Sequence, residues 1–423
     1  MKFVQAFSSQ EHIPATDVSG LRTAMLLLLS VAFLRCPSIL IHGRMWGEEL
    51  PVFLASNWNR SFLFALRAQH FGYFSIWDNF LGAVAVHWIP LAWVALLFSW
   101  SGVVMLLLTG YLVYQAEFLT TPTAKLLGVA ALLFTAPSVE TWINLLNSEF
   151  FFGIWSAVIL FSEATRLRVY RSAALILAVL SGPLTTLLAP LFVLRAFVTR
   201  RRGSAWQAAI VSTGGLFQIV VAKMSAIAGR QIHANPLTVV PALFDKEFVE
   251  LFLSRMAAKG NMLLLRDHLH YGEAASMFCF VGLLLCLGGL VYLVCREAVP
   301  LWLVLTAFWM AVIEAMLAIG GGWSLLESGE RYSFLPNYLI ELALIVMAVG
   351  ALRDVRRTSA RILLALAFLS GVADYVLLPI RFREDWQGEP WRAQALRWER
   401  DPDTALHTHP AASWPAFKLP PRQ

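Results

Sequence analysis

Apolar residues run in long blocks along nearly the whole chain, near 21–41, 91–115, 122–137, 148–164, 172–181, 184–198, 205–224, 274–294, 299–319, 332–351 and 361–379, separated by short polar connections. About 20 apolar residues in a helix cross the ~30 Å hydrocarbon core of a bilayer. The pattern therefore predicts an all-α, polytopic helical membrane protein with about 11 transmembrane helices. The blocks 122–137, 172–181 and 184–198 are short. Short or broken helices inside a bundle line cavities where something binds.

Between the first two blocks, residues from about Val52 to His70 carry apolar positions at helical spacing, with Trp58, Phe62 and Phe64 among them. This predicts helices lying in the interface plane within the first loop. Gly72-Tyr73 separates them from a second apolar stretch, Phe74 to Trp88, read as a further interfacial helix rather than a span. In the long loop 225–273, Phe244 to Lys259 reads as an amphipathic helix with Phe248, Leu251, Phe252 and Met256 on one side, placed to cover a cleft.

Composition agrees with this class: 58% of residues are hydrophobic and 14% charged, far from the balance of a soluble domain. A net charge of +6 raises nucleic acid as a partner, but the basic residues sit in short clusters between apolar blocks, not in a tract interleaved with exposed aromatics. Topology explains them better. With the N-terminus inside, inner connections carry Arg166, Arg168 and Arg171, then Arg200, Arg201 and Arg202, then Arg296, then Arg353, Arg356, Arg357 and Arg361, against Arg331 alone in the short outer connections. The expected arrangement is a bacterial inner-membrane protein, N-terminus in and C-terminus out. Residues 1–379 form the membrane domain, with outer loops 43–90 and 225–273, and 380–423 an extracytoplasmic tail that packs back on the outer surface. The first block is too long for a signal-peptide core and reads as an uncleaved first helix. Cys36, Cys279, Cys286 and Cys295 show no CxxC spacing and read as small buried hydrophobes.

This orientation puts every unusual polar cluster on the outer face. Glu48 and Glu49 follow the first block; they suit a helix start beside Pro51, or one is a general base and the other either a ligand of a divalent cation such as Mg or Mn or purely structural. Glu140, Asn144 and Asn147 share a face if helical, a carboxylate and two amides suited to sugar hydroxyls or a hydrated ion, against a plain polar turn with Asn caps. Arg331 and Tyr332, near Glu327 and Glu330, suit a lipid phosphate, or a snorkelling anchor with a belt tyrosine. Glu314, Glu341 and Asp374 lie inside apolar blocks, where an ionisable group is a functional candidate. Arg230, His233, Arg255, Lys259, Arg266, His268 and His270 in loop 225–273 suit an anionic headgroup; His268 and His270 lack helical metal-ligand spacing. There is no GxSxG and no P-loop.

The ordered set Arg44-Met45-Trp46-Gly47-Glu48-Glu49-Leu50, Gly72-Tyr73, Glu140 with Asn144 and Asn147, Ser181-Gly182-Pro183 and Arg331-Tyr332 resembles the motif order of the GT-C superfamily of integral-membrane glycosyltransferases, in its poorly characterised bacterial form. The agreement runs over almost the whole chain. Where that pattern has Asp-Gly, this chain has Glu49-Leu50. The resemblance implies transfer of a sugar from a polyprenyl-phosphate carrier to a glycan, lipid or protein acceptor of the cell envelope. Glu48 or Glu49 would be the base, Arg44, Tyr73, Glu140, Asn144, Asn147, Arg331 and Tyr332 would bind substrate, and a divalent cation at Glu49 would assist. The competing expectations are a transporter or flippase of lipid-linked saccharide and a non-catalytic subunit of a glycan-assembly complex.

Overall fold

A computed structural model describes residues 17–70, 72–162, 168–225, 235–269, 272–319, 331–350, 355–385, 389–409 and 416–421. Seven helices among them are long and apolar enough to cross a membrane: Val18–Arg35, Leu91–Tyr114, Arg202–Met224, Glu273–Val294, Ala298–Leu317, Arg331–Val349 and Val355–Val376. Pro122–Phe134, Ser148–Phe161, Val169–Val179 and Ala189–Thr199 are shorter apolar helices. The Arg331–Val349 helix is the centre of the bundle, with 83% of its apolar window buried against 22% for Val18–Arg35. Arg331, its first residue, therefore stands at the middle of one end of the bundle.

The apolar residues form two cores. The larger fills the bundle. The smaller joins Met45, Leu50, Phe53, Leu54 and Trp58 of the first loop to Leu81, Ala85 and Val86, to the start of the Leu91–Tyr114 helix, and to Trp391, Ala395, Trp398, Leu406 and Leu419 of the tail. The tail therefore packs back on the end of the bundle that carries the first loop. Helix Ile76–Trp88 belongs to this cap by its buried face.

Several elements differ from the sequence pattern. The first block breaks at Cys36, because Pro37 has no N–H to continue the helix, and a short helix Pro37–His42 follows. Gly43 ends that helix at φ +75°, where a Cβ would collide with the backbone of Leu96. The stretch 52–70 is helical only in short pieces: it runs as a π-helical segment Glu49–Leu54, a 3-10 turn Ala55–Asn57, a helix Phe62–Arg67 and a two-residue strand Gln69–His70 paired with Tyr73–Phe74. The 244–259 helix is interrupted too, by a π-helical segment Asp245–Val249 and by Ser254 at φ 97° between helices Glu250–Leu253 and Arg255–Leu269.

Candidate active site

One end of the bundle collects the cap loop, the connection between helices Pro122–Phe134 and Ser148–Phe161, the Ser181-Gly182-Pro183 break and the start of the Arg331–Val349 helix. Gly182 takes φ +148°, and a Cβ there would come within 2.8 Å of the Glu149 Cβ, so the break brings backbone directly onto that residue. Ser75 forms a bridge with Ser181, and the Ile76 N–H donates to the Leu180 carbonyl at 2.7 Å. These contacts fix Gly72-Tyr73 and the Asp78 helix beside the break.

Glu48 and Glu49 are separated by the turn between them. Glu49 is fully buried, its Oε2 accepting the Trp46 N–H at 2.7 Å and its Oε1 the Leu145 N–H at 2.7 Å. Burial pushes its carboxyl upward, opposed by those N–H donors and by Arg44. Glu48 keeps an 18% exposed side chain and accepts from Arg331 Nη1 at 3.3 Å. Arg331 is 21% exposed and lies 5.3 Å over the Tyr332 ring. The two acidic neighbours thus divide: Glu49 is tied into the scaffold and Glu48 is open at the mouth.

The expected helical face at 140–147 is absent. Ile143 sits at φ +47° and the segment is a succession of turns. Both Asn144 Nδ2 and Asn147 Nδ2 donate to the Glu140 carbonyl at 2.6 Å, and the Asn147 N–H donates to Asn144 Oδ1 at 2.9 Å. The amides therefore fold the connection around a backbone oxygen, leaving the Glu140 side chain partly exposed and within the electrostatic field of Arg331. Gly102 lets this connection lie on the Leu91–Tyr114 helix, since a Cβ would come within 2.6 Å of the Asn144 N–H nitrogen. Arg44, 2% exposed, also holds the connection: its Nη2 donates to the Trp142 carbonyl at 3.2 Å and its guanidinium lies 4.6 Å over Trp46. Burial lowers its pKa to about 10.

Tyr73 faces Glu149, Asp78, Tyr332 and Arg331 electrostatically; burial first, then the carboxylates, push its hydroxyl well above the usual range, so it remains a hydrogen-bond donor. Asp78 is a site residue that the hydrophobic pattern conceals. It is 1% exposed, accepts from Ser75 Oγ at 2.8 Å and Ser148 Oγ at 2.9 Å, and its carboxyl is held well above the usual range by burial. Its signal in the sequence is the helix-start spacing Ser75-x-x-Asp78, where the Ser75 side chain caps the helix.

The carboxylates inside the apolar blocks are buried, and two of them have clear side-chain partners. Asp374 pairs with Arg35 at 3.7 Å, and its Oδ2 accepts from the Ser138 N–H and hydroxyl at 2.9 and 3.1 Å. Glu341 accepts from Thr135 Oγ1 at 2.6 Å. Glu314 is 3% exposed and lies in the field of Glu247 and Glu149. Arg230, His233, His270, Glu327 and Glu330 lie outside the described residues. Both Glu49 oxygens accept from N–H donors, and among the described residues no three His, Cys, Asp or Glu side chains converge as metal ligands. Comparison with protein-family models, with curated proteins and with solved structures finds no match to this chain.

Proposed function

We propose that this chain is a GT-C-type membrane glycosyltransferase that moves a sugar from a polyprenyl-phosphate carrier to an acceptor at the membrane face bearing Glu48. The observation that carries the reading is the Glu48–Arg331 pair, 3.3 Å apart and about a fifth exposed, at the mouth of an apolar bundle. The four shorter apolar helices complete eleven passes on this reading, and the arginine-rich connections stay inside.

The roles follow from charge and access. Arg331 is the guanidinium within reach of the mouth, and a lipid phosphate replaces Glu48 as its partner through paired N–H donors. Glu48, released from Arg331, accepts the proton of the acceptor hydroxyl. The new bond forms from that oxygen to the anomeric carbon, the bond from that carbon to the phosphate oxygen breaks, and the phosphate leaves with the electron pair, its charge met by Arg331. Tyr73 supplies a neutral hydroxyl donor beside Glu149 and Asp78. Glu49, Arg44, Asn144 and Asn147 position the loops and do not take part in the transfer.

A single-turnover assay of purified protein with a polyprenyl-phosphate sugar donor and an envelope-derived acceptor tests the reading. Wild type transfers sugar and E48Q falls by at least about 100-fold. Equal transfer by a folded E48Q variant overturns it, and movement of the lipid-linked donor between leaflets without transfer points to a flippase instead.

A further inference from the structure

The loop that carries Glu48 is held from a point in the sequence far outside any of its neighbours. The His409 N–H donates to the Met45 carbonyl at 2.8 Å, and Trp46 and His409 form a parallel bridge with their rings 6.3 Å apart. Trp46 in turn donates its N–H to Glu49 Oε2 and lies under the Arg44 guanidinium, so one contiguous set of contacts runs from His409 through Trp46 to both residues that flank the Glu48 turn. Met45 is 2% exposed, so its carbonyl sits where water does not replace a lost donor cheaply.

The rest of the tail is anchored as a unit. Trp391 Nε1 donates to the Leu91 carbonyl at 2.8 Å, Trp398 Nε1 to the Leu419 carbonyl at 3.0 Å, and Trp58 Nε1 to the Pro420 carbonyl at 2.8 Å. Trp58 and Trp398 pack edge to face at 5.5 Å, and Leu406, fully buried, exchanges both backbone hydrogen bonds with Phe417 at 2.8 Å. These contacts join helix Trp391–Arg400 and residues 404–409 and 416–421 to the cap core. His409 does not act as a charge switch here: burial, and then the Arg44 charge, push its imidazole down to about 3, so it stays neutral over the physiological range.

We propose that the C-terminal tail is a built-in part of the site, with the His409 backbone as a positioning group that sets the Met45–Glu49 turn and thereby the direction of Glu48 toward Arg331. The Met45–Glu49 turn is largely buried, so its geometry is set by the contacts its backbone makes, and a misplacement of about 1 Å at a reacting group costs on the order of 100-fold in rate. The positioning role in transfer rests on the function proposed above; the mechanical coupling of tail and loop does not.

Backbone chemistry gives a discriminating pair of variants. His409→Pro deletes the N–H donor, and His409→Ala keeps it. Leu406→Ala loosens the tail within the cap core and leaves the His409 N–H donor in place. Hydrogen exchange on the full chain in detergent is read over 44–54 and, as a folding control, over 331–349. Exchange over 44–54 rises about tenfold in H409P and in L406A and rises less in H409A, which keeps the N–H but loses the ring beside Trp46, with 331–349 unchanged in all three. Transfer by H409P falls about tenfold in kcat with KM unchanged, and H409A falls less. Unchanged exchange over 44–54 in folded L406A overturns the coupling, and raised exchange with undiminished kcat overturns the positioning role. Should E48Q transfer normally while the exchange pattern appears, the proposed function fails and the coupling of tail to loop stands.

Discussion

The same end of the bundle holds two arginine–carboxylate pairs of opposite character. Arg35 and Asp374 lie 3.7 Å apart with side chains 0% and 1% exposed, Asp374 also accepting two bonds from Ser138 and Arg35 lying 5.3 and 5.1 Å over the rings of Trp142 and Tyr375. Arg331 and Glu48 lie 3.3 Å apart with side chains 21% and 18% exposed. A partly exposed pair contributes about 0–1 kcal/mol to stability, whereas removing one partner of a buried pair costs about 3–5 kcal/mol. The first pair holds the 135–147 connection in place. The second has little stability to contribute; on the proposed function it exchanges its partner for a substrate phosphate.

The largest test of that contrast is Asp374→Ala, which strands a buried guanidinium and lowers stability by about 3–5 kcal/mol, read as detergent unfolding, against under about 1 kcal/mol for Glu48→Ala. Comparable losses for the two would erase the distinction. Next is Arg331→Lys, which keeps the charge but removes the two-pronged phosphate grip; donor kcat/KM falls by about 10- to 100-fold at unchanged stability. A lysine variant with wild-type kinetics would leave Arg331 as a mere interfacial anchor. Smaller again is Asn147→Ala, which removes the bond to the Glu140 carbonyl and costs about 1 kcal/mol in unfolding. An accompanying collapse of transfer in folded protein would instead make Asn147 a substrate ligand.

The mildest test uses pH. The Asp78 carboxyl is raised well above its ordinary value, first by burial, so the folded chain holds a proton that the unfolded chain releases near pH ~4. The folded state then binds more protons in the window above that value, and its contribution to stability falls as pH rises toward the folded pKa. Asp78→Asn removes this slope, and thermal unfolding between about pH 4 and 8 should be flatter in the variant than in wild type. A steeper variant would contradict the burial assigned to Asp78.

The helical membrane class was legible because apolar blocks of that length have few other solutions in water or lipid. The aromatic tail was legible as a packed element, since Trp391 and Trp398 carry too much apolar surface to stay solvated. Arg35 was not, because it sits inside the first apolar block and its acceptor on Asp374 is 339 positions away. Spacing alone left the segment at Asn144 and Asn147 open between a helix face and a polar turn, because the i+4 and i+3 spacing that puts residues on one helix face also lets two amides reach one carbonyl when Ile143 turns left-handed. Asp78 was hidden by the apolar character of its helix. The division of labour between Glu48 and Glu49 was beyond sequence spacing, since the Leu145 N–H that captures Glu49 is 96 positions downstream.

That division is the central claim, and single-turnover transfer by E48Q and E49Q, each normalised to folded protein, tests it most directly. E48Q should lose at least about 100-fold in kcat. E49Q should lose about 1–3 kcal/mol of stability through its mismatched N–H contacts, while its folded fraction retains transfer within about tenfold of wild type. Loss of transfer in folded E49Q with retention in E48Q would contradict the account.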